Sequence, residues 1–295
     1  MRTEQTGAQA QTGAQARGRA PVPPTPPRAG GELATQQALE MLRHGDLMVE
    51  GRLVDASNTT LRAFLTLAGV TVRCVYKPVR GERPLWDFPE GTLAGREVAA
   101  YLVSAATGWD LVPPTVLRDG PYGPGACQIW VDEPDDVPPL VGVVAEADLP
   151  ADWLPIAEVG EREEQVYVLA HADDAGLARL ALFDAVVNNA DRKGGHVLHT
   201  GGGHLHGVDH GLCFHAEEKL RTVLWGFVGR PLPAEARAVL SAVRHDLDGP
   251  LGANLAAVLT RAEVEATVSR VTRLLGTGVF PEPPEHWPAV PWPPL

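Results

Sequence analysis

The chain has 295 residues, of which 44% are hydrophobic and 21% are charged, a balance typical of folded globular proteins. Its formal net charge of −12 argues against nucleic acid or an anionic membrane surface as a partner, because both are bound through positive patches. The sequence contains no apolar run as long as a transmembrane helix, so we expect no integral membrane association.

The first 31 residues are of low complexity, since Gln-Thr-Gly-Ala-Gln-Ala repeats and a proline-rich run follows it. Such a composition buries too little apolar surface to fold, so we predict that residues 1–31 are disordered. The segment has no apolar core, which argues against a signal peptide. Three widely spaced cysteines in apolar segments indicate free thiols and a cytoplasmic location: Cys74, Cys127 and Cys213.

An N-terminal group of elements is predicted next, namely a helix at 35–43 and strands at 46–54, 61–68 and 70–78. The third strand ends with Lys77, and a helix at 92–103 carries Glu97 one turn from its start. A lysine and a glutamate placed in this way suit the ion pair that positions nucleotide phosphates. Alternatively, Glu97 only stabilises the beginning of the helix.

Two further strands are predicted before the composition changes. The prolines in 112–117 restrict that segment to a sheet edge, and the chain returns over 126–131. Residues 132–139 are rich in proline and acidic residues, so we place a lobe boundary there, between 32–132 and 133–280. Residues 141–164 are the least informative part of the chain, and 165–169 suit either a strand or the start of a helix.

The most informative stretch lies between residues 182 and 215. Apolar residues at three- and four-residue steps predict a helix that ends at two asparagines. A polar loop with Asp191 follows, and then a glycine-rich turn and a short strand lead to Asp209. Two carboxylates separated by a hairpin can converge on one metal ion, which is the arrangement that phosphoryl transfer requires.

These residues resemble the phosphatidylinositol 3-/4-kinase-like branch of the protein-kinase-like superfamily. Asp191-Arg192-Lys193-Gly194-Gly195-His196 is similar to its Asp-Arg-His-x-x-Asn catalytic loop, and Asp209-His210-Gly211 is similar to its Asp-x-Gly metal motif. The first motif also resembles the Asn-x-Asp-Arg-His loop of the secretory-pathway and spore-coat atypical kinases. Two positions depart from the pattern, because Lys193 replaces a histidine and His196 replaces the asparagine that binds the second metal ion.

The resemblance covers roughly residues 51–214 and implies an α+β, bilobal protein-kinase-like fold. In that fold a small antiparallel N-lobe sheet with one main helix precedes a mainly helical C-lobe. The resemblance also implies ATP and Mg²⁺, with Mn²⁺ as the other metal to consider. Asp191 would orient or deprotonate the acceptor hydroxyl, and Lys193 or Arg192 would stabilise charge on the transferred group. Asp209 would bind the metal, with His196 as a second ligand.

The nucleotide itself would contact both ends of the N-lobe sheet. Residues expected there are Lys77, held by Glu97, with Ser57, Asn58 and Thr59 of the first loop, and Gln128, Trp130 and Val131 before the hinge. The acceptor is a hydroxyl of a small molecule, a lipid or a protein. Adenylyl transfer from a reversed nucleotide is a further alternative.

Two other classes of protein also suit the sequence. A nucleotide-binding pseudokinase is favoured by His196, because imidazole is a poorer Mg²⁺ ligand than an amide oxygen. A metal-dependent hydrolase would use the histidine-rich tract, but it would leave Lys77 and Glu97 without a role. Its candidate ligands are His196, His199, His204, His206, Asp209, His210 and His215.

The last part of the chain is predicted to be helical and then extended. Residues 217–231 occupy the place of an activation or substrate-recognition loop, and helices follow at 233–246, 251–260 and 262–275. Prolines exclude a helix from 281–295. We expect this C-terminal tail to lie across the surface with Trp287 and Trp292 as anchors, or alternatively to dock a protein partner.

Overall fold

The structure, a computed structural model, describes residues 34–53, 58–83, 85, 88, 93–162, 164–200 and 203–295. The tail predicted at 1–31 and the loop residue Ser57 lie outside the described residues. Within the described part of the chain, no helix is both long enough and apolar enough to cross a membrane.

Five antiparallel strands form the first sheet, in the order β1-β2-β3-β5-β4. Their bounds are β1 Asp46–Arg52, β2 Leu61–Leu67, β3 Val70–Pro78, β4 Thr115–Gly120 and β5 Gly123–Ile129. Helices α1 (Thr35–His44) and α2 (Leu93–Thr107) contact this sheet. Strand β4 lies at the edge, where its preceding prolines remove no hydrogen bond from a central ladder.

Strand alternation builds the core of this first lobe. Ala63 and Leu65, two residues apart on β2, are fully buried with Leu42 of α1. Cys74 of β3, Cys127 of β5 and Val116 of β4 complete the cluster. The free-thiol prediction is confirmed for all three cysteines, which are buried and unlinked.

The second half of the chain combines helices with a small sheet. Its helices are α3 (Ala175–Val187), α4 (Ala234–Asp246), α5 (Pro250–Ala256) and α6 (Arg261–Thr277). The sheet has the order β6-β8-β7, with β6 Val141–Ala145, β7 Trp153–Arg162 and β8 Gln165–Ala172. A hairpin of β9 (Val197–His199) and β10 (Leu205–Gly207) follows α3. The predicted α+β bilobal kinase-like fold class is confirmed, with a three-stranded sheet that the sequence did not reveal.

Two contacts fix helix α2, which carries Glu97. The Glu82 carboxylate accepts hydrogen bonds from the first backbone amides of the helix, Leu93 N at 3.0 Å and Ala94 N at 2.8 Å. Arg96 points to the other lobe and forms a buried ion pair with Glu263 of α6. Glu97, one residue on, is therefore held in a fixed orientation between the lobes.

His171 joins strand β8 to the turn at Trp225–Phe227. Its ring is fully buried, its Nδ1 lies 2.8 Å from the Ala172 carbonyl, and its Nε2 accepts a 3.1 Å hydrogen bond from Gly226 N. Gly226 permits this approach, because a Cβ there would lie 2.7 Å from Nε2. Burial lowers the pKa of His171. Only the neutral ring satisfies both contacts.

Replacing His171 by glutamine should therefore reduce the loss of folding stability that occurs as the pH falls below 6.5. Below the ordinary histidine pKa of 6.5, the unfolded chain binds a proton that folded His171 does not, so the folded state loses stability as pH falls. Urea unfolding at pH 7.5 and 5 should show a larger loss for the wild type than for His171→Gln. The exposed His245→Gln serves as the control, and a His171→Gln profile parallel to the wild type would contradict this account.

Candidate active site

Lys77 is the point at which three segments of the chain meet. Its ammonium group, at the end of β3, forms an ion pair with Glu97 of α2 and a second one with Asp209 Oδ1 at 2.8 Å. The other oxygen of Glu97 accepts a hydrogen bond of 3.1 Å from His210 N. The structure thus brings together Lys77, Glu97 and Asp209, three charged residues that the sequence placed in separate motifs.

Lys77 and Asp209 each stabilise the charged form of the other. Burial alone would lower the pKa of Lys77, but Asp209 and Glu97 together outweigh it and raise that pKa. Lys77 in turn lowers the pKa of Asp209. Burial raises the pKa of Glu97, and Lys77 opposes that rise. The side chain of Asp209 is 55% exposed, so that one face of its carboxylate is open to the cleft.

The backbone presents Asp209 in an unusual way. Its φ angle is +61°, in the left-handed region that few residues other than glycine, asparagine and aspartate adopt. Asp209 follows β10 directly after Val208, whose carbonyl is bound to Arg192 Nη1 at 3.0 Å. The hairpin and this arginine together fix the position of the metal motif.

Arg192 has a structural position. Its guanidinium is fully buried and forms a two-pronged ion pair with Asp184 of α3, through Nε to Oδ2 and Nη2 to Oδ1, both at 2.9 Å. It also binds the carbonyls of His196 and Val208 and the His210 ring. The prediction that Arg192 stabilises the transferred group is wrong, because every direction in which it can donate is occupied inside the protein.

Asp191 is more exposed than its neighbour Arg192, since 22% of its side chain is accessible. Its amide donates to Asn189 Oδ1 at 3.0 Å, while its carboxylate lies 3.5 Å from Lys193 Nζ and 3.3 Å from an Arg221 nitrogen. Burial raises the pKa of Asp191, and the two cations oppose that rise. Asp191 is therefore a partly desolvated carboxylate with two cations beside it.

Arg221 is a site residue that the sequence did not single out. Its Nε donates to the Ala190 carbonyl at 2.6 Å, and residues 221–223 form backbone hydrogen bonds to Asn189 and Arg192. The sequence showed only a cation thirty positions after Asp191, and no local pattern reveals such a long-range pairing. Arg221 supplies, together with Lys193, the positive charge beside Asp191 that we expected from Arg192.

The C-terminal tail packs against this loop. Thr222 N donates to the Ala289 carbonyl at 3.0 Å, Gly194 N donates to the Pro294 carbonyl at 2.8 Å, and the Trp287 ring lies under Lys219 at 4.2 Å. The extended course and the anchoring role of Trp287 are as expected. Trp292 is 76% exposed, so its predicted role as an anchor is wrong.

His196 lies between the two motifs. Its Nδ1 is 3.0 Å from the Asp191 carbonyl, and its Nε2 is 3.5 Å from Asp209 Oδ2. Burial lowers its pKa to about 4, although Asp209 acts in the opposite direction. The ring is therefore neutral at physiological pH, with its Nε2 directed to the carboxylate of the second motif.

The remaining nucleotide contacts predicted from sequence have other partners in the structure. Asn58 accepts a hydrogen bond from Arg83 N at 2.9 Å, and Thr59 N donates to the Gly81 carbonyl at 3.2 Å, so both hold the loop to the turn after β3. Gln128 is buried and donates to Thr115 at 2.8 Å. Trp130 N donates to the Arg73 carbonyl at 3.1 Å, which leaves Val131, the next residue, as the predicted hinge contact.

The histidine-rich tract does not form a metal cage. Among the residues that the structure describes, no group of three or more histidine, cysteine, aspartate or glutamate side chains is arranged to hold a metal ion. The rings of His204 and His206 meet edge to face with their centroids 4.6 Å apart, and His199 Nδ1 lies 3.4 Å from the Pro138 carbonyl. The hydrolase alternative therefore has no support in the described part of the chain.

The sheet order and the helix that follows β3 are those of a kinase-like fold. No family model matches the chain. Over 261 residues it is 47% identical to protein Rv2133c of Mycobacterium tuberculosis, covering 86% of this chain and 94% of that protein, so the chain belongs to the same family as Rv2133c.

Two solved kinase structures are similar over most of the chain. The crystal structure of the Golgi casein kinase aligns with a TM-score of 0.46 at 12% identity, covering 82% of this chain and 74% of that chain. The Helicobacter pylori proinflammatory kinase CtkA aligns with a TM-score of 0.38 at 10% identity, covering 81% of this chain and 94% of that one.

Breaking the buried pair of Asp184 and Arg192 should cost far more stability than breaking an exposed pair. We expect Asp184→Asn or Arg192→Met to lower the free energy of unfolding by about 3–5 kcal/mol, because each leaves an uncompensated charge in the interior. The control Asp248→Asn removes an exposed partner of Arg244 and should cost about 1 kcal/mol or less.

The double variant Asp184→Asn with Arg192→Met tests the coupling of the two charges. Its loss of stability in urea unfolding should be clearly smaller than the sum of the single losses. Additive losses would show that the two side chains stabilise the protein independently of each other.

Proposed function

We propose that this protein is an ATP- and Mg²⁺-dependent phosphotransferase of the phosphatidylinositol 3-/4-kinase-like type, with Mn²⁺ as an alternative metal. One observation carries the proposal: Lys77 contacts Glu97 and Asp209 at once, which joins the phosphate-positioning pair to the metal motif. A purely structural ion pair would not require a third, half-exposed carboxylate from another lobe.

The charges of the cleft suit a nucleotide bound together with a divalent metal. When bound, ATP supplies the phosphoryl group and the metal neutralises phosphate charge. Lys77 would contact phosphate oxygens while Glu97 holds its position. Asp209 would bind the metal through the exposed face of its carboxylate, with His196 beside it. Carboxylate oxygen is a suitable ligand for either metal.

Asp191 would act on the acceptor. A carboxylate whose pKa is raised by burial accepts a proton more readily than an exposed one, and Asn189 orients it through its backbone amide. Lys193 and Arg221, on either side of Asp191, would stabilise negative charge as the group is transferred. The acceptor is a hydroxyl of a small molecule, a lipid or a protein.

Nucleotide and metal should stabilise the protein together. In the wild type, Lys77 and Asp209 neutralise each other. Phosphate alone would compete with Asp209 for Lys77, and a metal ion alone would be repelled by the Lys77 ammonium group. We expect a non-hydrolysable ATP analogue with Mg²⁺ or Mn²⁺ to raise the melting temperature more than either component alone. Asp209→Asn should lose the metal-dependent part of that increase, and Asp248→Asn should keep it.

Two other outcomes of this measurement would assign the chain to a different class. Stabilisation by the analogue without any effect of metal would identify a pseudokinase. If neither analogue nor metal has an effect on the wild type, the phosphotransferase proposal is wrong.

Asp191→Asn should separate binding from chemistry. The amide keeps the size of the side chain but accepts no proton, so nucleotide- and metal-dependent stabilisation should persist while turnover falls by about 10²–10⁴-fold. ADP release from ATP measures turnover without a known acceptor, because water can serve. An undiminished rate in Asp191→Asn would exclude Asp191 as the general base.

A further inference from the structure

The ring of His196 has its two nitrogens in different roles. Nδ1 lies 3.0 Å from the carbonyl oxygen of Asp191, and a carbonyl can only accept a hydrogen bond. Nδ1 therefore carries the proton, which leaves the lone pair on Nε2 in the neutral ring. Histidines that bind metals are oriented in this way, because the other nitrogen donates to a backbone carbonyl or a carboxylate.

The lone pair of His196 faces a second electron-pair donor. Nε2 lies 3.5 Å from Oδ2 of Asp209, while Oδ1 of the same carboxylate is bound to Lys77. The backbone at Asp209 is left-handed, with φ = +61°, and its carboxylate contacts Lys77 on one oxygen and His196 on the other. A nitrogen and an oxygen that both offer electron pairs at this distance can share one cation.

The position of the loop around His196 is independent of any metal. Arg192 Nη1 donates to the His196 carbonyl at 3.2 Å, and His196 N donates to the Lys193 carbonyl at 3.1 Å. The backbone on both sides of the ring is thus fixed by the protein. The His196 ring is therefore preorganised for a metal ion by the hydrogen bonds of the protein.

The two donors differ in the metals they favour. Carboxylate oxygen suits Mg²⁺ and Mn²⁺ alike, whereas imidazole nitrogen suits transition ions and is a poor ligand for Mg²⁺. We infer that His196 Nε2 and Asp209 Oδ2 together select a divalent transition ion such as Mn²⁺ over Mg²⁺, an inference that rests on the proposed function. Two protein ligands leave the other positions to phosphate and water, so the ion binds with the nucleotide.

The test compares Mn²⁺ with Mg²⁺ on the full chain saturated with a non-hydrolysable ATP analogue. Calorimetric titration gives the ratio of the two metal affinities in the wild type, in His196→Asn and in the control His199→Asn. Asparagine replaces the imidazole nitrogen by an amide oxygen. The preference for Mn²⁺ should fall by about tenfold or more in His196→Asn, since residues that only orient metal ligands already contribute 10–100-fold. His199→Asn should keep the wild-type ratio.

A spectroscopic measurement identifies the ligand directly. Electron spin echo modulation of bound Mn²⁺ should show an imidazole nitrogen in the wild type and in His199→Asn, and lose it in His196→Asn. Equal affinities for the two metals in the wild type, or an unchanged preference in His196→Asn, would overturn the inference and leave the phosphotransferase proposal intact. If neither metal binds the wild type with nucleotide, the proposal and the inference fail together.

Discussion

The buried ion pair between Arg192 and Asp184 is the interaction on which the site depends. The five N–H groups of Arg192 reach Asp184 of helix α3, the His196 carbonyl, the end of the β9–β10 hairpin and the His210 ring, so one side chain fixes the spacing of both acidic motifs. Gly207 leaves room for it, since a Cβ there would lie 3.0 Å from the guanidinium. The relative position of Asp191 and Asp209 therefore depends on this pair, because Arg192 contacts the segments that carry both residues.

Lys77 connects segments of the two lobes, as Arg192 connects segments within one lobe. Strand β3 and helix α2 belong to the N-terminal sheet, whereas Asp209 follows a hairpin of the second lobe. Because β3 pairs with both β2 and β5, its end is a rigid platform for the ammonium group. The Arg96–Glu263 pair, one residue before Glu97, holds α2 against α6. The cleft is thus bounded by residues with little freedom to move.

The features that could be predicted from the sequence are those that depend on a local pattern of residues. Strand β3 was evident from its β-branched alternation, and Lys77, Glu97, Asp191 and Asp209 were identified from motif spacing. The inward orientation of the Arg192 side chain was not predicted, because a single aspartate in an apolar helix, Asp184, does not indicate by itself which cation it pairs with. Strands β6 and β7 were missed because β7 is mostly exposed and has two register shifts, so its residues do not alternate regularly. Arg221 depends on pairing over thirty residues, which no short window contains.

Adjacent residues of the catalytic loop thus serve unrelated purposes. Asp191 is partly exposed and pairs with partly exposed cations, whereas Arg192 lies in the interior and pairs with a buried anion. A family member could lose Asp191 and keep the shape of its loop, but it could not lose Arg192 unless Asp184 changed with it. In related sequences, the first residue of the Asp-Arg pair therefore records whether the carboxylate that we propose to act on the acceptor has been retained. The second residue, read together with position 184, records whether the architecture has been retained.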